Sequence, residues 1–368
     1  MTRARIGLQQ SRSKRVIGSV LLLMFSVLVA GILAEVVLRV LGHRGEPRSP
    51  LSNIYPVDDP IIDWRYVPRS RVEVGKLVKI YNSAGFRDVE HSFDNPLGRR
   101  RVVVVGDSVA EGYGVEWPSV FAARVASQLG DGYEVINLAM QGLNTPQEIH
   151  LLAQSGVIYK PDLVVLNFVL NDADFYTNFR AAARFTAEKD ATLGILNLRI
   201  DPRVKRLLKS SAFIYFVKES TENLWGRFFA KEQSDYFTRL WASEANRRRV
   251  LEAFDRLAAL RTRHGFEVVV IIWPLITEYK GYRFEPVHAW VSDQASQRGF
   301  ATLDLLRHFA GTPYRQLQVT SEDNVHPNSR GHSIGADVFL AWYQSQLGAR
   351  PRPMAARSAS SGRREQEP

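Results

Sequence analysis

Three polar residues of this sequence are of the types that together carry out nucleophilic acyl transfer. Ser108 follows the apolar run RVVVV and a Gly-Asp pair, which predicts a serine hydroxyl at the start of a helix, beside free backbone N–H groups. Asp323 and His326 lie three residues apart in a late loop, where the carboxylate can orient the imidazole and stabilise its protonated form. Singly, such a serine is an ordinary helix N-cap and such a pair an ordinary surface contact. Jointly, they predict Ser108 as nucleophile, His326 as base and Asp323 as the carboxylate that orients it.

Two further positions can supply hydrogen bonds to an oxygen that becomes negatively charged during such a reaction. Gly142 lies in a loop before a helix, where its backbone N–H can turn toward a ligand without obstruction by a side chain. Asn171 follows an apolar segment, where its amide can donate to the developing oxyanion. The alternatives are a simple turn glycine and an Asx turn that ends a strand.

Several other kinds of site are excluded or disfavoured. The chain has no cysteine, which excludes disulfides, thiolate metal sites and a cysteine nucleophile. It contains no H-E-x-x-H, P-loop or G-x-G-x-x-G pattern, so no metal and no cofactor are expected. Asp107 is expected to support the turn before Ser108. Asp172 and Asp174 either face the cleft or bound a loop, and the loop is the favoured alternative. Surface or helix-end positions are predicted for the remaining histidines considered, since no carboxylate is placed to pair with them: His264, His288, His308 and His332.

The elements that must position these residues alternate between strands and helices. Apolar segments predict five strands, at 101–105, 133–137, 162–168, 266–273 and 301–305. Helical spacing is found at 117–129, 145–156, 244–264, 285–298 and 331–346. This alternation predicts an α/β fold, a flavodoxin-like three-layer α/β/α arrangement whose five-stranded parallel sheet has the order 2-1-3-4-5. Ligands bind such sheets at the carboxyl ends of the strands, where the candidate residues fall.

Two regions depart from this alternation. Residues 61–98 precede the first strand of the sheet and include the turn-rich segment YNSAGFRD. Residues 172–243 form an insertion that is long enough to contain its own helices and either shapes a binding cleft or packs as an addition without a ligand role. The insertion is rich in aromatic residues, namely Phe175, Tyr176, Phe179, Phe185, Phe213, Tyr215, Phe216, Trp225, Phe228 and Phe229.

The amino-terminal region predicts one transmembrane helix. Residues 16–34 carry no charge and would span roughly 28 Å as a helix, close to the thickness of the hydrocarbon core of a bilayer. A cleaved signal peptide is the alternative, but the run is long for one, and the helical pattern continues through Glu35 and Arg39, spaced to pair. The basic residues precede the run, so the amino terminus is expected to be cytoplasmic and the rest periplasmic or extracellular.

The charge distribution disfavours a nucleic-acid partner. The net charge is +10, but residues 1–15 carry five basic residues and no acidic one. Residues 350–368 carry five arginines against two glutamates. The middle of the chain is therefore nearly neutral and has no general basic field for DNA or RNA.

These motifs together resemble the SGNH hydrolases, also called GDSL-like esterases. The resemblance covers about residues 100–346 and rests on GDS, on the glycine after the second strand, on V-L-N-D, and on D-x-x-H-P. It departs from the family where GDSV replaces GDSL and where F-V-L-N-D lacks the usual glycine two residues before the asparagine. The resemblance implies that Ser108 attacks an acyl carbonyl, that the N–H groups of Ser108 and Gly142 and the amide of Asn171 hold the oxyanion, and that Asp323 orients the base His326.

The segment NSAGFRD and an anchor containing E-x-x-x-R resemble membrane-tethered bacterial members of that family. The expected organisation is a cytoplasmic segment 1–15, an anchor helix 16–41, a linker and extension 42–98, a hydrolase domain 99–348 with the insertion 172–243, and a disordered tail 349–368. The expected location is the cell inner membrane, crossed once.

The predicted function is that of an esterase or deacylase acting on O-acyl groups of a cell-envelope glycan or lipid. An O-acyltransferase would use the same acyl-serine intermediate, and the sequence does not separate the two. A lysophospholipase-like enzyme and a catalytically inactive envelope-assembly or binding protein are further alternatives. The oligomeric state is not predicted.

Overall fold

The computed structural model describes residues 2–43, 53–75, 77–174, 210–321 and 323–346, together with residues 192, 193, 198, 199, 201, 204 and 208. For residues 2–17, 219 and 222–235 only the helical backbone is described. The strands are β1 (Ile54–Pro56), β2 (Trp64–Tyr66), β3 (Arg71–Val74), β4 (Leu77–Ile80), β5 (Arg100–Gly106), β6 (Tyr133–Asn137), β7 (Leu163–Phe168), β8 (Thr192–Leu193), β9 (Leu198–Arg199), β10 (Glu267–Ile272) and β11 (Ala301–Asp304). The helices are α1 (Thr2–Val40), α2 (Ser108–Glu111), α3 (Phe121–Leu129), α4 (Thr145–Leu151), α5 (Ala212–Ala242), α6 (Glu244–His264), α7 (Glu285–Gln297), α8 (Leu306–Phe309) and α9 (Ser329–Gln346).

The central sheet has five parallel strands in the order β11-β10-β7-β5-β6. Counted along the chain this is the predicted order 2-1-3-4-5, and the prediction of an α/β fold is confirmed. β5 lies inside the sheet, and its valines are buried alternately on the two faces, as a strand covered on both sides requires. Helices α4, α6 and α7 cover one face, while α3 and α9 cover the other.

The extension before the sheet packs as part of the same domain. It forms two antiparallel hairpins, β1–β2 and β3–β4, whose side chains Ile62, Trp64 and Tyr66 enter the core on one face of the sheet. The guanidinium group of Arg101 on β5 donates hydrogen bonds to the backbone carbonyls of residues 92, 93 and 94, which fixes the end of the extension. The part of the predicted linker at 44–52 lies outside the described residues.

Helix α1 contains one segment, Gly18–Val40, that is long and apolar enough to be a membrane span or a signal anchor, by length and composition. Its side chains are mostly exposed. The helix ends because Gly42 adopts φ +88°, and the N–H groups of Gly42 and His43 bond back to the carbonyls of Arg39 and Leu38. This is the pattern of a Schellman cap, in which glycine avoids the strain of a left-handed backbone.

The insertion 172–243 contains a helix, as predicted, and also the short hairpin β8–β9. The helix is α5, and near its carboxyl end Phe237, Leu240 and Trp241 enter the core beside the sheet. Phe213, Tyr215 and Phe216 lie in its first turns, and Trp225, Phe228 and Phe229 lie on the stretch where only the backbone is described. The predicted insertion aromatics Phe175, Tyr176, Phe179 and Phe185 and the predicted tail at 349–368 lie outside the described residues.

Two of the histidines, in the first turns of α7 and α9, lie at helix ends, which the prediction allowed, but they are buried rather than at the surface. His332 on α9 is fully buried, and its Nδ1 accepts a hydrogen bond of 3.2 Å from the N–H of Phe121, the first residue of α3. His288 on α7 is also fully buried and does have a carboxylate partner, because its Nδ1 lies 2.8 Å from Asp304 Oδ1 at the end of β11. In both cases packing between elements distant in sequence supplies the partner. His264 and His308 are exposed helix positions, as predicted.

The burial of His332 makes the fold sensitive to acid. Loss of hydration, with the charges of Arg87 and Arg124, lowers the pKa of His332 to about 3, so the folded protein holds this ring neutral. The unfolded chain binds a proton at this histidine below about pH 6.5, which favours unfolding as the pH falls. We expect His332→Gln, which has no titratable group at this position, to lose less stability than the wild type between pH 7 and pH 5, by about 2 kcal/mol.

Urea unfolding of the full chain in a non-ionic detergent, followed by tryptophan fluorescence at the two pH values, measures this difference. The matched control is His264→Gln, because the exposed His264 should leave the pH dependence unchanged. Equal pH dependence in the wild type and His332→Gln would refute the role of His332.

Candidate active site

Ser108 lies at a sharp turn between β5 and α2, and the two residues before it, Gly106 and Asp107, form this turn. Gly106 admits no side chain, since a Cβ there would lie 2.6 Å from the Cβ of Ala110 and 3.0 Å from that of Asn167. Asp107 caps α2 by accepting a 2.8 Å hydrogen bond from the N–H of Val109, which is the supporting role predicted for it. Ser108 is then the first residue of α2, at the carboxyl edge of the sheet.

A continuous chain of hydrogen bonds joins Ser108 to His326 and Asp323. Ser108 Oγ lies 2.9 Å from His326 Nε2, and His326 Nδ1 lies 2.8 Å from Asp323 Oδ2. The carboxylate can only accept from Nδ1, so the Nδ1 atom of the neutral ring carries the proton and Nε2 is free to accept from the serine hydroxyl. The three residues predicted to act together are therefore within hydrogen-bonding distance, in the order that a serine nucleophile needs.

The loop that carries His326 is held by its own hydrogen bonds. Asp323 Oδ1 also accepts from the backbone N–H groups of Val325 and His326, at 3.0 and 2.9 Å. Burial would raise the pKa of Asp323, but the hydrogen bonds and charge of His326 outweigh it and keep this pKa below its usual value. The amide of Asn328 donates to the carbonyls of Gln316 and Gln318, which ties the far side of the loop.

Asn171 lies next to Ser108 through Asp107. Its Nδ2 donates a 2.7 Å hydrogen bond to Asp107 Oδ2, and that oxygen lies 3.3 Å from Ser108 Oγ. A carboxylate accepts only from the nitrogen of an amide, so this contact fixes which way the amide faces. The second N–H of the same nitrogen is then available to another acceptor, such as an oxyanion.

Gly142 follows β6 in the loop before α4. It is exposed and adopts φ +73°, a conformation that glycine takes without strain, and the space that a Cβ would fill is open. Asn144, two residues later, caps α4 by accepting from the N–H of Gln147, and Gln147 Oε1 accepts from the N–H of Asn144 in return. This capping box fixes the start of α4, directly after the loop in which Gly142 follows the carboxyl end of β6.

The prediction did not find Tyr113, whose ring contacts the imidazole of His326. The two ring centroids lie 4.3 Å apart at an interplanar angle of 37°. The ammonium of Lys79 lies 5.9 Å from the centroid of the same tyrosine ring. No sequence pattern marks Tyr113, because the loop after α2 and the loop with His326 meet only in the folded chain.

Behind Tyr113 lies a buried ion pair between the extension and the helix that carries Ser108. Lys79 on β4 contacts both carboxylate oxygens of Glu111 on α2, at 2.9 and 2.7 Å, and both side chains are almost fully buried. Tyr81 and Gln141 also donate to this carboxylate. Both carboxylate oxygens of Glu111 therefore accept hydrogen bonds, as a buried carboxylate requires.

The turn-rich segment YNSAGFRD, residues 81–88, supplies the second tie between the extension and the site. The buried guanidinium group of Arg87 donates to the backbone carbonyls of Glu111, Gly112 and Val115, at 3.1, 2.6 and 2.7 Å. These carbonyls belong to the end of α2 and the loop that bears Tyr113. Arg87 therefore fixes the wall of the site, a role that the sequence did not reveal.

Two more acids, Asp172 and Glu148, lie buried under the site, and Asp172 therefore does more than bound a loop, the alternative favoured from the sequence. Asp172 accepts a 2.9 Å hydrogen bond from the N–H of Val169, and Glu148 on α4 is fully buried. Burial raises the pKa of both carboxyl groups, with a further contribution from the charge of Asp107. Asp174, by contrast, accepts from the hydroxyl of Tyr236 on α5.

Within the described part of the chain, no cluster of His, Asp or Glu residues is arranged to hold a metal ion.

The buried ion pair predicts a specific pattern of stability. Lys79→Met leaves the carboxylate of Glu111 buried without its cation, so we expect a loss of about 3–5 kcal/mol in the free energy of unfolding. The double variant Lys79→Met with Glu111→Leu removes both charges and should recover part of that loss. Chemical denaturation of the three proteins measures the pattern, with the exposed Lys280→Met as the matched control. A double variant less stable than Lys79→Met would contradict it.

Comparison with known proteins places the chain in a family. Residues 104–334 match the GDSL-like lipase/acylhydrolase family, whereas no match is found among the curated proteins. Similar solved structures include TesA, at 16% identity over 67% of this chain and 99% of that chain, with a TM-score of 0.39. A lipase/acylhydrolase from Enterococcus faecalis matches at 15% identity over 68% and 99%, with a TM-score of 0.39. The acetyl xylan esterase AlAXEase matches at 14% identity over 66% and 98%, also with a TM-score of 0.39.

The family match spans more than half of the chain and begins inside β5, directly before the turn that carries Ser108. It ends in α9, so it contains the last residues of β5, the other four strands of the sheet and the loop of His326. The chain therefore belongs to the GDSL-like lipase/acylhydrolase family, the SGNH hydrolases, and is an enzyme that acts on ester bonds.

Proposed function

We propose that this protein is a membrane-anchored serine esterase that removes O-acyl groups from a glycan or lipid of the cell envelope. The observation that carries the proposal is the hydrogen-bond chain from Ser108 Oγ through the His326 imidazole to the Asp323 carboxylate. A serine hydroxyl becomes a nucleophile when an adjacent base takes its proton and a third group orients that base.

The proposed reaction has two halves. In the first, Ser108 Oγ attacks the acyl carbonyl carbon while His326 Nε2 takes the hydroxyl proton, and the carbonyl oxygen becomes an oxyanion. The tetrahedral intermediate then expels the alcohol, which receives that proton from His326, and leaves an acyl-serine. In the second, water attacks the acyl carbon and gives a proton to His326. The tetrahedral intermediate then releases the carboxylic acid as that proton passes from His326 to Ser108 Oγ.

Three donors are proposed for the oxyanion, namely the backbone N–H groups of Ser108 and Gly142 and the Nδ2 of Asn171. The contact with Asp107 supports this role for Asn171, because it holds the amide nitrogen toward Ser108 before any substrate arrives. Donors that are already oriented stabilise the transition state without a cost of reorganisation at the moment of reaction.

The anchor is proposed to keep the catalytic domain at the outer face of the inner membrane. The exposed apolar segment Gly18–Val40 supports a single span, and the basic residues before it favour a cytoplasmic amino terminus. The domain after α1 then lies in the periplasm or outside the cell. Envelope glycans and lipids with acyl groups are the ester substrates available on that side.

Removal of the nucleophile should abolish activity while the fold remains. We expect Ser108→Ala to lose both hydrolysis of p-nitrophenyl acetate and covalent labelling by a fluorophosphonate, because the attacking oxygen is gone. Ser296→Ala, at an exposed serine of α7, is the matched control and should behave like the wild type. Unchanged hydrolysis by Ser108→Ala with an intact unfolding transition would eliminate this site.

A series of esters from acetyl to palmitoyl then defines the acyl group that the active protein prefers.

Loss of the amide donor should affect the chemical step more than substrate binding. We expect Asn171→Ala to lower kcat by about 10²–10³ with little change in KM, since the lost hydrogen bond forms in the transition state. Steady-state kinetics with p-nitrophenyl acetate measure both constants. A decrease in kcat of less than about tenfold would argue against Asn171 as an oxyanion donor.

A further inference from the structure

The two charged residues of the apolar segment Gly18–Val40, Glu35 and Arg39, bind the start of helix α5. Glu35 accepts hydrogen bonds from the hydroxyl of Ser211 and from the backbone N–H groups of Ala212 and Phe213, at 2.7, 3.1 and 2.8 Å. Arg39 donates to Glu35 at 2.6 Å and to the carbonyl of Ser210 at 2.9 Å. We call this arrangement of Glu35, Arg39 and residues 210–213 the helix clasp.

The helix clasp provides hydrogen-bond partners for backbone N–H groups and for a carboxylate, which would be unfavourable at a membrane without partners. The first backbone N–H groups of a helix have no partner within the helix and carry the positive end of its dipole. Ser211 caps α5 by accepting from the N–H of Ile214. The carboxylate of Glu35 accepts from the two N–H groups before it in the helix, those of Ala212 and Phe213. A carboxylate in an apolar segment is itself unfavourable unless it is paired. The start of α5 thus provides donors for the carboxylate of Glu35, and Glu35 provides an acceptor for the start of α5. These contacts are additional to the Glu35–Arg39 pairing that the sequence predicted.

The position of Glu35 along α1 sets the depth of the clasp. Glu35 directly follows the uncharged run 16–34, which spans roughly 28 Å as a helix and so matches the hydrocarbon thickness. Its carboxylate therefore lies at the edge of the hydrocarbon region in a spanning helix. Because residues 211–213 bind this carboxylate, the start of α5 lies at the same level.

The surface beside the clasp is apolar on both helices. On α5, Ile214, Phe216 and Val217 are 40, 41 and 43% exposed. On α1, the neighbouring positions Val36 and Val37 are 54 and 55% exposed. A ring contact between Phe216 and His43, at 5.4 Å between centroids, joins the two helices beyond the clasp. The exposed apolar side chains of α5 thus lie beside the outer end of the anchor segment.

The other end of α5 is fixed beside the candidate active site. Trp241 Nε1 donates a 2.8 Å hydrogen bond to the carbonyl of Leu170, and the hydroxyl of Tyr236 donates to Asp174 at 2.5 Å. These two contacts flank Asn171. A helix of 31 residues spans roughly 46 Å, so α5 connects the membrane end of α1 to the loop of Asn171.

We propose that the first turns of α5 form a second membrane contact, in which Ile214, Phe216 and Val217 enter the boundary between lipid headgroups and acyl chains beside α1. The proposal rests on the membrane anchor of the proposed function. It makes the bilayer, rather than a second protein, the partner of this surface, because the surface is continuous with the segment that would span the bilayer. The catalytic domain is then held by two helices in a fixed orientation, not by a flexible tether.

The absence of native cysteine allows a direct test with single spin labels. Val217→Cys in the full chain carries a nitroxide, and the protein is reconstituted into vesicles of phosphatidylcholine and phosphatidylglycerol. Power saturation compares collisions with oxygen, which concentrates in lipid, and with a nickel chelate, which stays in water. Val37→Cys marks the outer part of the anchor. Ile158→Cys, 45% exposed and in the short helix Val157–Tyr159 that precedes β7, is the matched control, because Leu170 follows the other end of that strand.

We expect the label at 217 to show the oxygen preference seen at 37, and the label at 158 to prefer the nickel chelate. Adding Glu35→Ala should abolish the preference at 217 and leave that at 37 unchanged, while fluorophosphonate labelling persists. A label at 217 that behaves like the one at 158, while 37 remains in lipid, overturns the second contact but not the anchor. A label at 37 in water overturns both. An unchanged preference at 217 in Glu35→Ala removes the clasp as its cause.

Discussion

The 2.9 Å contact between Ser108 Oγ and His326 Nε2 joins residues 218 positions apart, and the organisation of the domain serves to make it. Because all five strands of the sheet are parallel, their carboxyl ends lie at one edge, and the turn after β5 and the loop before α9 meet there. Gly106 allows the backbone of that turn to approach β7 closely, which a larger residue would prevent.

The extension before the sheet also holds parts of the site in place. Arg87 and Lys79 bring positive charge to the end of α2, where backbone carbonyls and the carboxylate of Glu111 accept it. Burying such charges is favourable only when every polar group finds a partner, so the pieces must fit together as a unit. The helix that carries Ser108 and the loop that carries Tyr113 are consequently held from outside the region of the family match, which begins at residue 104.

Helix α5 extends this dependence toward the membrane. One of its ends contacts residues on both sides of Asn171, and the other contacts Glu35 and Arg39 of the anchor. In the proposed arrangement, α5 links the anchor to the catalytic domain. It fixes the distance and direction between the lipid surface and the edge of the sheet where an ester would bind.

The sequence by itself determined the elements and the polar residues at their ends. The apolar segments predicted the five strands of the sheet nearly residue by residue, because burial on both faces leaves an uninterrupted apolar pattern. The prediction of Ser108, Asp323 and His326 as neighbours followed from the same strand ends, and their hydrogen bonds match it. Only the tertiary structure revealed the contact of Tyr113 with His326, the pairing of Lys79 with Glu111, the partner of His288, the burial of His332, and the clasp at Glu35. The physical reason is range: periodicity and capping report interactions within a few residues, whereas these contacts join elements whose approach is decided by packing.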